Sequence, residues 1–146
     1  MIEHVIPMTG NRPYPPRISG FTQTFWDGLT EGRFLTTCCA ACQKTTFPPK
    51  PICPACLGAK VEWREISGRG HINSYTIVHA APSIFTHEAP YAVGIVDTPE
   101  GLRMAARLLI SPERLRVTMP VAVGRMAYED GSFFGFIEAE GDRAND

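Results

Sequence analysis

Histidine and lysine are scarce in this chain, and long apolar runs are missing altogether. Four histidines occur, His4, His71, His79 and His87, scattered without a motif. No Gly-x-Ser-x-Gly elbow, phosphate-cradling glycine loop or paired-carboxylate motif accompanies them, so an autonomous active site is not expected. His71 and His79 stand eight apart in a stretch of β character and would share one strand face, where structural histidines are the expectation. No apolar run approaches the roughly 20 residues that a bilayer-crossing helix needs. The opening Met-Ile-Glu-His-Val-Ile-Pro-Met lacks an apolar export region, which leads us to expect a cytoplasmic chain whose thiols stay reduced.

Charge is equally thin. The 146 residues sum to a formal charge of -1, an apolar fraction of 44% being that of a soluble globular domain. The small total conceals a segregation. Residues 33–62 carry Arg33, Lys44, Lys50 and Lys60 against Glu62 alone, and every lysine of the chain lies among them. Residues 63–146 carry eight arginines against eleven acids. Binding to nucleic acid calls for a basic stripe across the binding face. The balance here disfavours that and suits a small anionic ligand near the basic segment.

What the chain does have is cysteine, in two pairs: Cys39-Ala-Ala-Cys42 and Cys53-Pro-Ala-Cys56. A Cys-x-x-Cys folds as a tight knuckle aiming both sulfurs at one spot. Two knuckles supply the four thiolates of a tetrahedral site, with metal–sulfur distances of about 2.3 Å for zinc. The segment between them has room for a strand and a turn but not for its own core, so the metal supplies most of its order. Iron suits the same sulfurs. A disulfide framework or a thioredoxin-like redox pair accounts less well for two pairs in register. We therefore expect one structural Zn²⁺ on Cys39, Cys42, Cys53 and Cys56. Four thiolates close the coordination sphere, which leaves no position for hydrolytic water. Cys38 is left over; the spacing favours Cys39 as ligand and Cys38 as a small packed apolar residue.

Around this centre the chain reads as three parts. Residues 1–32 form an arm and a helix. The arm, 1–18, holds Pro7, Pro13, Pro15 and Pro16 with Gly10 and Asn11, which suits neither a helix interior nor a central strand. Two readings stay open for it: a disordered terminus, or an extended arm that wraps a partner. Ser19 opens a helix of about eleven residues ending near Gly32, with Phe21, Phe25 and Leu29 on one face and Trp26 beside it. Two readings are open for it, packing on its own domain or anchoring a partner; so short a helix has little local core to cover these rings, and the expectation leans to Phe21, Phe25, Trp26 and Leu29 meeting a partner. Residues 33–62 form the zinc ribbon.

Residues 63–146 turn to β. Trp63–Ala80 reads as one long strand bent at Gly68 and Gly70 so as to serve two edges of a barrel. Tyr91–Val96 and Leu102–Ile110 follow around the turn Thr98-Pro99-Glu100-Gly101. Ser111-Pro112-Glu113 starts a helical turn with Pro at its first position. Val121–Tyr128 and Phe133–Ala139 close a last hairpin. Five strands in this order match a small Greek-key barrel of the OB type. The fold expected is therefore mainly β: an N-terminal helix, a rubredoxin-like zinc ribbon and a five-stranded OB-fold barrel.

An ordered set of motifs runs through these parts: Phe25-Trp26-Asp27-Gly28-Leu29, Cys39-x-x-Cys42, Phe47-Pro48-Pro49-Lys50, Cys53-Pro54-x-Cys56, Ser67-Gly68-Arg69-Gly70, Tyr75-Thr76, Pro90-Tyr91, Glu100-Gly101 and Gly135-Phe136. Together they resemble the DUF35-type family of zinc-ribbon plus OB-fold proteins over about residues 25–136. The resemblance implies a non-catalytic accessory subunit of acyl-CoA enzymes, chiefly thiolases and thiolase-like aldolases and sometimes hydratases, that helps bind the coenzyme A thioester. The partner would then be a thiolase-like catalytic subunit and the ligand acyl-CoA or CoA, with no nucleic acid and no membrane. The family's usual Phe-Pro-Pro-Arg ends here in Lys50, which keeps the cation and loses the bidentate fork. Lys44, Lys50, Arg64 and Arg69 are the candidate phosphate contacts. Two other functions compete: a single-stranded nucleic-acid module, disfavoured because Phe133, Phe134 and Phe136 sit among Glu129, Asp130, Glu138 and Glu140, and a free-standing acyl-CoA carrier.

Overall fold

The computed structural model describes residues 2–13, 15–80 and 82–139. The final seven residues assigned to the barrel region, and Met1 and Tyr14 of the arm, lie outside them. In chain order the elements are β1 (His4–Pro7), α1 (Gln23–Thr30), β2 (Leu35–Cys39), β3 (Thr45–Thr46), β4 (Val61–Glu65), β5 (Arg69–Val78), β6 (Tyr91–Asp97), β7 (Arg103–Leu108), β8 (Pro120–Tyr128) and β9 (Gly131–Glu138). Short 3₁₀ turns occupy Ser83–Glu88 and Pro112–Arg114, the second with proline at its start as the sequence predicts.

Strands β5 to β9 close into a barrel. Neighbours run β8-β5-β6-β7-β9, and β9 returns to β8. All contacts are antiparallel except β7 with β9, which meet parallel where Leu108 faces Phe136. That single parallel closure after a Greek-key connection defines the OB-type barrel. Alternation fills the interior: β6 buries Ala92, Gly94 and Val96 and turns Tyr91, Val93 and Ile95 partly outward. Ile72, Val96, Met119, Val121 and Phe136, each no more than 1% exposed, form the centre.

The ribbon is a separate three-stranded sheet with β2 between β3 and β4. Every residue of β2 is buried, including Thr36 and Thr37. Their hydroxyls are satisfied locally: Thr36 donates to the Thr46 carbonyl, and Thr37 accepts the Lys50 N–H at 3.0 Å.

Several expectations change. The stretch Trp63–Ala80 is two strands in two sheets, because β4 pairs wholly with β2 while β5 pairs with β6 and β8. The chain crosses between sheets at Ile66-Ser67-Gly68. There the Ile66 N–H reaches the Phe34 carbonyl, and the Gly68 carbonyl accepts from Val123 at 2.7 Å. Glu100, from the β6–β7 turn, accepts the Ser67 N–H at 3.1 Å and pins the crossing. The register irregularity of β5 falls between Ile72 and Ser74, hence between His71 and His79 and not before them. His79 lies past the strand end, so the two do not share a regular face.

The arm also differs from both of its readings. His4–Pro7 adds to β8 as a parallel edge strand, where a proline is tolerated at the terminus. Farther on, Arg12 donates its N–H to Asp130 at 2.8 Å and its guanidinium to the Ser132 carbonyl at 3.2 Å. The arm is thus laid along its own barrel. Backbone and guanidinium of Arg12 together hold the Asp130 carboxyl below its usual range. Finally, α1 is eight residues long. Ser19 and Thr22 instead cap each other, each hydroxyl accepting the other's N–H at 3.1 and 2.8 Å, which leaves Ser19–Thr22 as an entry turn.

Packing corrects the helix face. Phe25 and Leu29 are 5% and 0% exposed within the chain's own core, so neither meets a partner. Phe25 sits edge-on to Phe47 and Phe134 and 6.2 Å from Phe34. Helix, ribbon and barrel share this one cluster, and each ring it buries contributes about 1.5–3 kcal/mol.

Gly68 marks the tightest point of the crossing. Its φ is +73°, and a Cβ there would overlap Val123 Cγ1 and approach Phe34 at 3.7 Å. Gly68→Ala combines a left-handed backbone with overpacking and should cost about 2–4 kcal/mol. Urea denaturation checks this: the midpoint should fall, and an unchanged midpoint would show that the crossing relaxes freely.

Candidate metal centre and apolar cleft

The two knuckles repeat one backbone design. In the first, the Gln43 N–H reaches the Cys39 carbonyl and the Cys39 N–H the Lys44 carbonyl, both at 2.9 Å. In the second, Leu57 reaches Cys53 at 2.8 Å and Cys53 reaches Gly58 at 2.9 Å. The residue after each second cysteine, Gln43 and Leu57, takes positive φ of 65° and 62°. This turn aims the backbone N–H groups at sulfur, as where Cys42 donates to Cys39 Sγ at 3.5 Å.

The four sulfurs converge from opposite sides. Cys39 and Cys56 stand 3.5 Å apart, Cys42 and Cys53 3.6 Å, and all four lie within 4.8 Å of one another. A regular tetrahedron with metal–sulfur bonds of about 2.3 Å has edges of about 3.8 Å. The donor set therefore fits a tetrahedral thiolate-bound ion. The electrostatics agree. The Cys56 backbone N–H draws the Cys53 thiol down to about 7, and the Cys42 N–H lowers Cys39. At Cys42 the Lys44 N–H pulls the same way but is outweighed by the Cys53 sulfur and burial, pushing this thiol up to about 12. Four thiolates this close need a cation to neutralise them. Cys38 is 1% exposed and donates weakly to the Cys39 carbonyl, away from the sulfur cluster.

A second feature lies where arm, helix, ribbon and barrel meet: a cleft of about 620 Å³. Its lining takes Phe25, Phe47 and Phe134 from the aromatic cluster, adds Trp26, Phe133 and Tyr91, and includes the rigid rings of Pro13, Pro16, Pro48 and Pro49. Three arginines reach it: Arg12, Arg17 and Arg107. Arg107 pairs with Glu88 and lies over the Tyr91 ring, 4.6 Å from its centroid. The Tyr128 hydroxyl donates to the same carboxylate at 3.4 Å, and burial first, then the Glu88 charge, pushes this phenol up to about 12. It remains a neutral donor throughout the physiological range. Arg12 is matched by Asp130, whereas Arg17 is exposed and has no ion-pair partner among the described residues.

None of Lys44, Lys50, Arg64 and Arg69 lines this cleft. Lys44 and Lys50 are exposed on the ribbon, Lys50 directly after the lining pair Pro48–Pro49. Arg64 turns to Glu62 at 3.7 Å and Gln43 at 3.4 Å. Arg69 borders a separate polar hollow with Ser67, Glu3 and His4. Phe21 packs on Trp63, ring centroids 5.1 Å apart, and stays half-buried, as does Trp26. The cleft residues escape a reading by spacing because they come from five separate segments. Of the motifs visible in the sequence, Phe25-Trp26, Phe47-Pro48-Pro49 and the tyrosine of Pro90-Tyr91 contribute to the lining.

A closed OB barrel carrying a four-cysteine ribbon defines a zinc-ribbon/OB-fold protein, and the comparisons with known proteins make the class specific. Residues 26–62 match the family described as "ChsH2, rubredoxin-like zinc ribbon domain", and residues 63–124 match "ChsH2, C-terminal OB-fold domain". The chain belongs to this ChsH2-type, DUF35 family. It is 39% identical over 97 residues to a DUF35 domain-containing scaffold protein of Methanocaldococcus jannaschii, covering 64% of this chain and 68% of the relative. A probable enoyl-CoA hydratase alpha subunit of Thermomonospora curvata is 34% identical over 101 residues, 68% of this chain but 31% of its own length. The benzoylsuccinyl-CoA thiolase subunit BbsA of Thauera aromatica is 32% identical over 78 residues, 53% of each chain. Among solved structures, the Ltp2-ChsH2(DUF35) aldolase superposes with a TM-score of 0.74 at 28% identity, over 85% of this chain and 98% of that one.

The knuckle geometry generates a direct test. Wild-type protein should carry a single metal ion per chain by elemental analysis, a number set by the one cluster of four sulfurs. Cys39→Ser and Cys56→Ser should lose most of it together with ribbon order. Cys38→Ser should retain the metal in full. Metal loss in Cys38→Ser with retention in Cys39→Ser would reverse the ligand assignment.

Proposed function

We propose that this chain is a non-catalytic, acyl-CoA-binding accessory subunit of a thiolase-type complex, its ribbon held by one structural zinc. The observation that carries the reading is the cleft: apolar rings and prolines inside, with arginines around them. Such a lining binds an acyl group and an anion but supplies no nucleophile. The relatives named as thiolase and hydratase subunits support the association with acyl-CoA enzymes. A thiolase-like aldolase partner is the second form of the same proposal, favoured by the structural likeness to the Ltp2-ChsH2(DUF35) aldolase.

In this reading the catalytic cysteine belongs to the partner, and this chain orders the thioester. Lys50, adjacent to the cleft rim, is our choice for a phosphate contact, followed by Lys44; Arg64 and Arg69 face elsewhere and are secondary. Assembly uses the surface left by the helix, centred on Phe21 and the exposed arm residues Arg17 and Ile18, the last 46% exposed. Zinc is preferred to iron because a closed thiolate site here has only structure to maintain. No helix among the described residues is long and apolar enough to cross a membrane. A cytoplasmic location fits reduced thiolate ligands.

The test is thiolytic or aldol turnover by the thiolase-like chain that co-purifies with this one. Turnover should rise on adding this chain and be absent with this chain alone. A partner rate indifferent to it, or turnover by the isolated chain, overturns the accessory role. Phe21→Ala should weaken assembly by about 1–2 kcal/mol at unchanged metal content.

A further inference from the structure

We infer that the cleft selects a planar aromatic acyl group over an aliphatic chain of similar size. This deepens the acyl-CoA reading above and rests on it. Three observations point the same way. The first is ring geometry. Phe133 stacks on Phe134 with planes 10° apart and lies 5.7 Å from Trp26 at 33°, while Phe25 turns its edge to Trp26 and Phe134. These rings satisfy part of one another's surface, and the partly exposed remainder of Trp26, Phe133 and Phe134 lines the cleft, where a third π-system can join the set and a methylene chain gains only area.

The second is rigidity. Four of the lining residues are prolines and most of the rest are rings, with Met126 and the three arginines the flexible exceptions. Rings and prolines lose little rotamer freedom when a ligand arrives, so the slot is shaped in advance. A flexible acyl chain would have to surrender its own torsions to fill it, whereas a fused or single ring would not. At about 620 Å³ the space accommodates more than one ring and falls within the range of small-molecule sites.

The third is charge. Three arginines face two carboxylates, Asp130 on Arg12 and Glu88 on Arg107, which leaves the positive charge of Arg17 at the mouth. An anion, either a free carboxylate or the phosphates of a thioester, complements it. The neutral Tyr128 hydroxyl and the Arg107 guanidinium give the interior a polar end suited to an acyl carbonyl.

The experiment is calorimetry on the full metal-loaded chain with four probes: benzoyl-CoA, octanoyl-CoA, CoA and benzoate. Benzoyl-CoA should bind roughly three- to tenfold more tightly than octanoyl-CoA, the range that ring pairing supplies beyond area burial. Detectable benzoate binding would assign the recognition to the aromatic acid itself; its absence would make the thioester the ligand. Phe133→Leu keeps apolar volume and removes a ring. It should erase the preference for benzoyl-CoA at unchanged metal content, benzoyl-CoA affinity falling by more than octanoyl-CoA affinity. Equal or tighter octanoyl-CoA binding, or no binding of either thioester, overturns the inference. Failure of assembly with a thiolase-like partner would instead strike the accessory role and leave aromatic selectivity standing.

Discussion

Phe25, Phe34, Phe47 and Phe134 come from the helix, the residue before the ribbon's first strand, the ribbon's inter-knuckle loop and the last barrel strand, and they meet in one cluster with centroids 5.3–6.2 Å apart. Everything else in the molecule is arranged around that meeting. Without it, the ribbon would be joined to the barrel only through the crossing at Ile66–Gly68. With it, the helix and the ribbon, which lack a core of their own, extend that of the barrel, which is how a chain of this length offsets its conformational entropy. The rings also pack edge to face, so their outer side is shaped as well as their inner one, and the cleft is that outer side.

The metal centre solves a different problem. Between Cys42 and Cys53 the chain has two prolines at 48 and 49, another at 51 and only a two-residue strand, too little structure to hold itself. Two knuckles with the same hydrogen-bond pattern draw four sulfurs together, and a bound ion converts their mutual repulsion into cohesion. The knuckles hold Phe47, Pro48 and Pro49 against the helix, so the metal indirectly sets one wall of the cleft. Loss of an ion from the four sulfurs would therefore deform the cleft as well.

The arm has a comparable indirect role. Its edge strand on β8 and the Arg12–Asp130 pair fix where Pro13 and Pro16 cross the cleft. The same β8–β9 hairpin supplies Tyr128, Phe133 and Phe134 to the lining. A single hairpin thus anchors the arm, contributes to the core cluster and lines the site. Changes in its turn would be felt at all three.

Period and spacing alone determined a good deal. Period-two alternation placed β6 to β9 within about two residues, because side chains on a barrel strand must alternate between core and surface. Paired Cys-x-x-Cys spacing placed the sulfur cluster, because knuckle geometry is local and the chemistry of four thiolates admits few uses. What only the tertiary structure decided was everything that depends on one segment finding another. Trp63–Glu65 could not be separated from the following strand by pattern, since both stretches read as β and only hydrogen-bond pairing assigns them to different sheets. Phe25 and Leu29 appeared too many for a short helix to cover, and it was rings some ten to one hundred residues away in the chain that covered them. Residues 2–8, rich in turn-forming neighbours, gained a strand because β8 had an open edge. The cleft was the least legible of all, for its lining is drawn from five segments and no local rule of spacing brings them together.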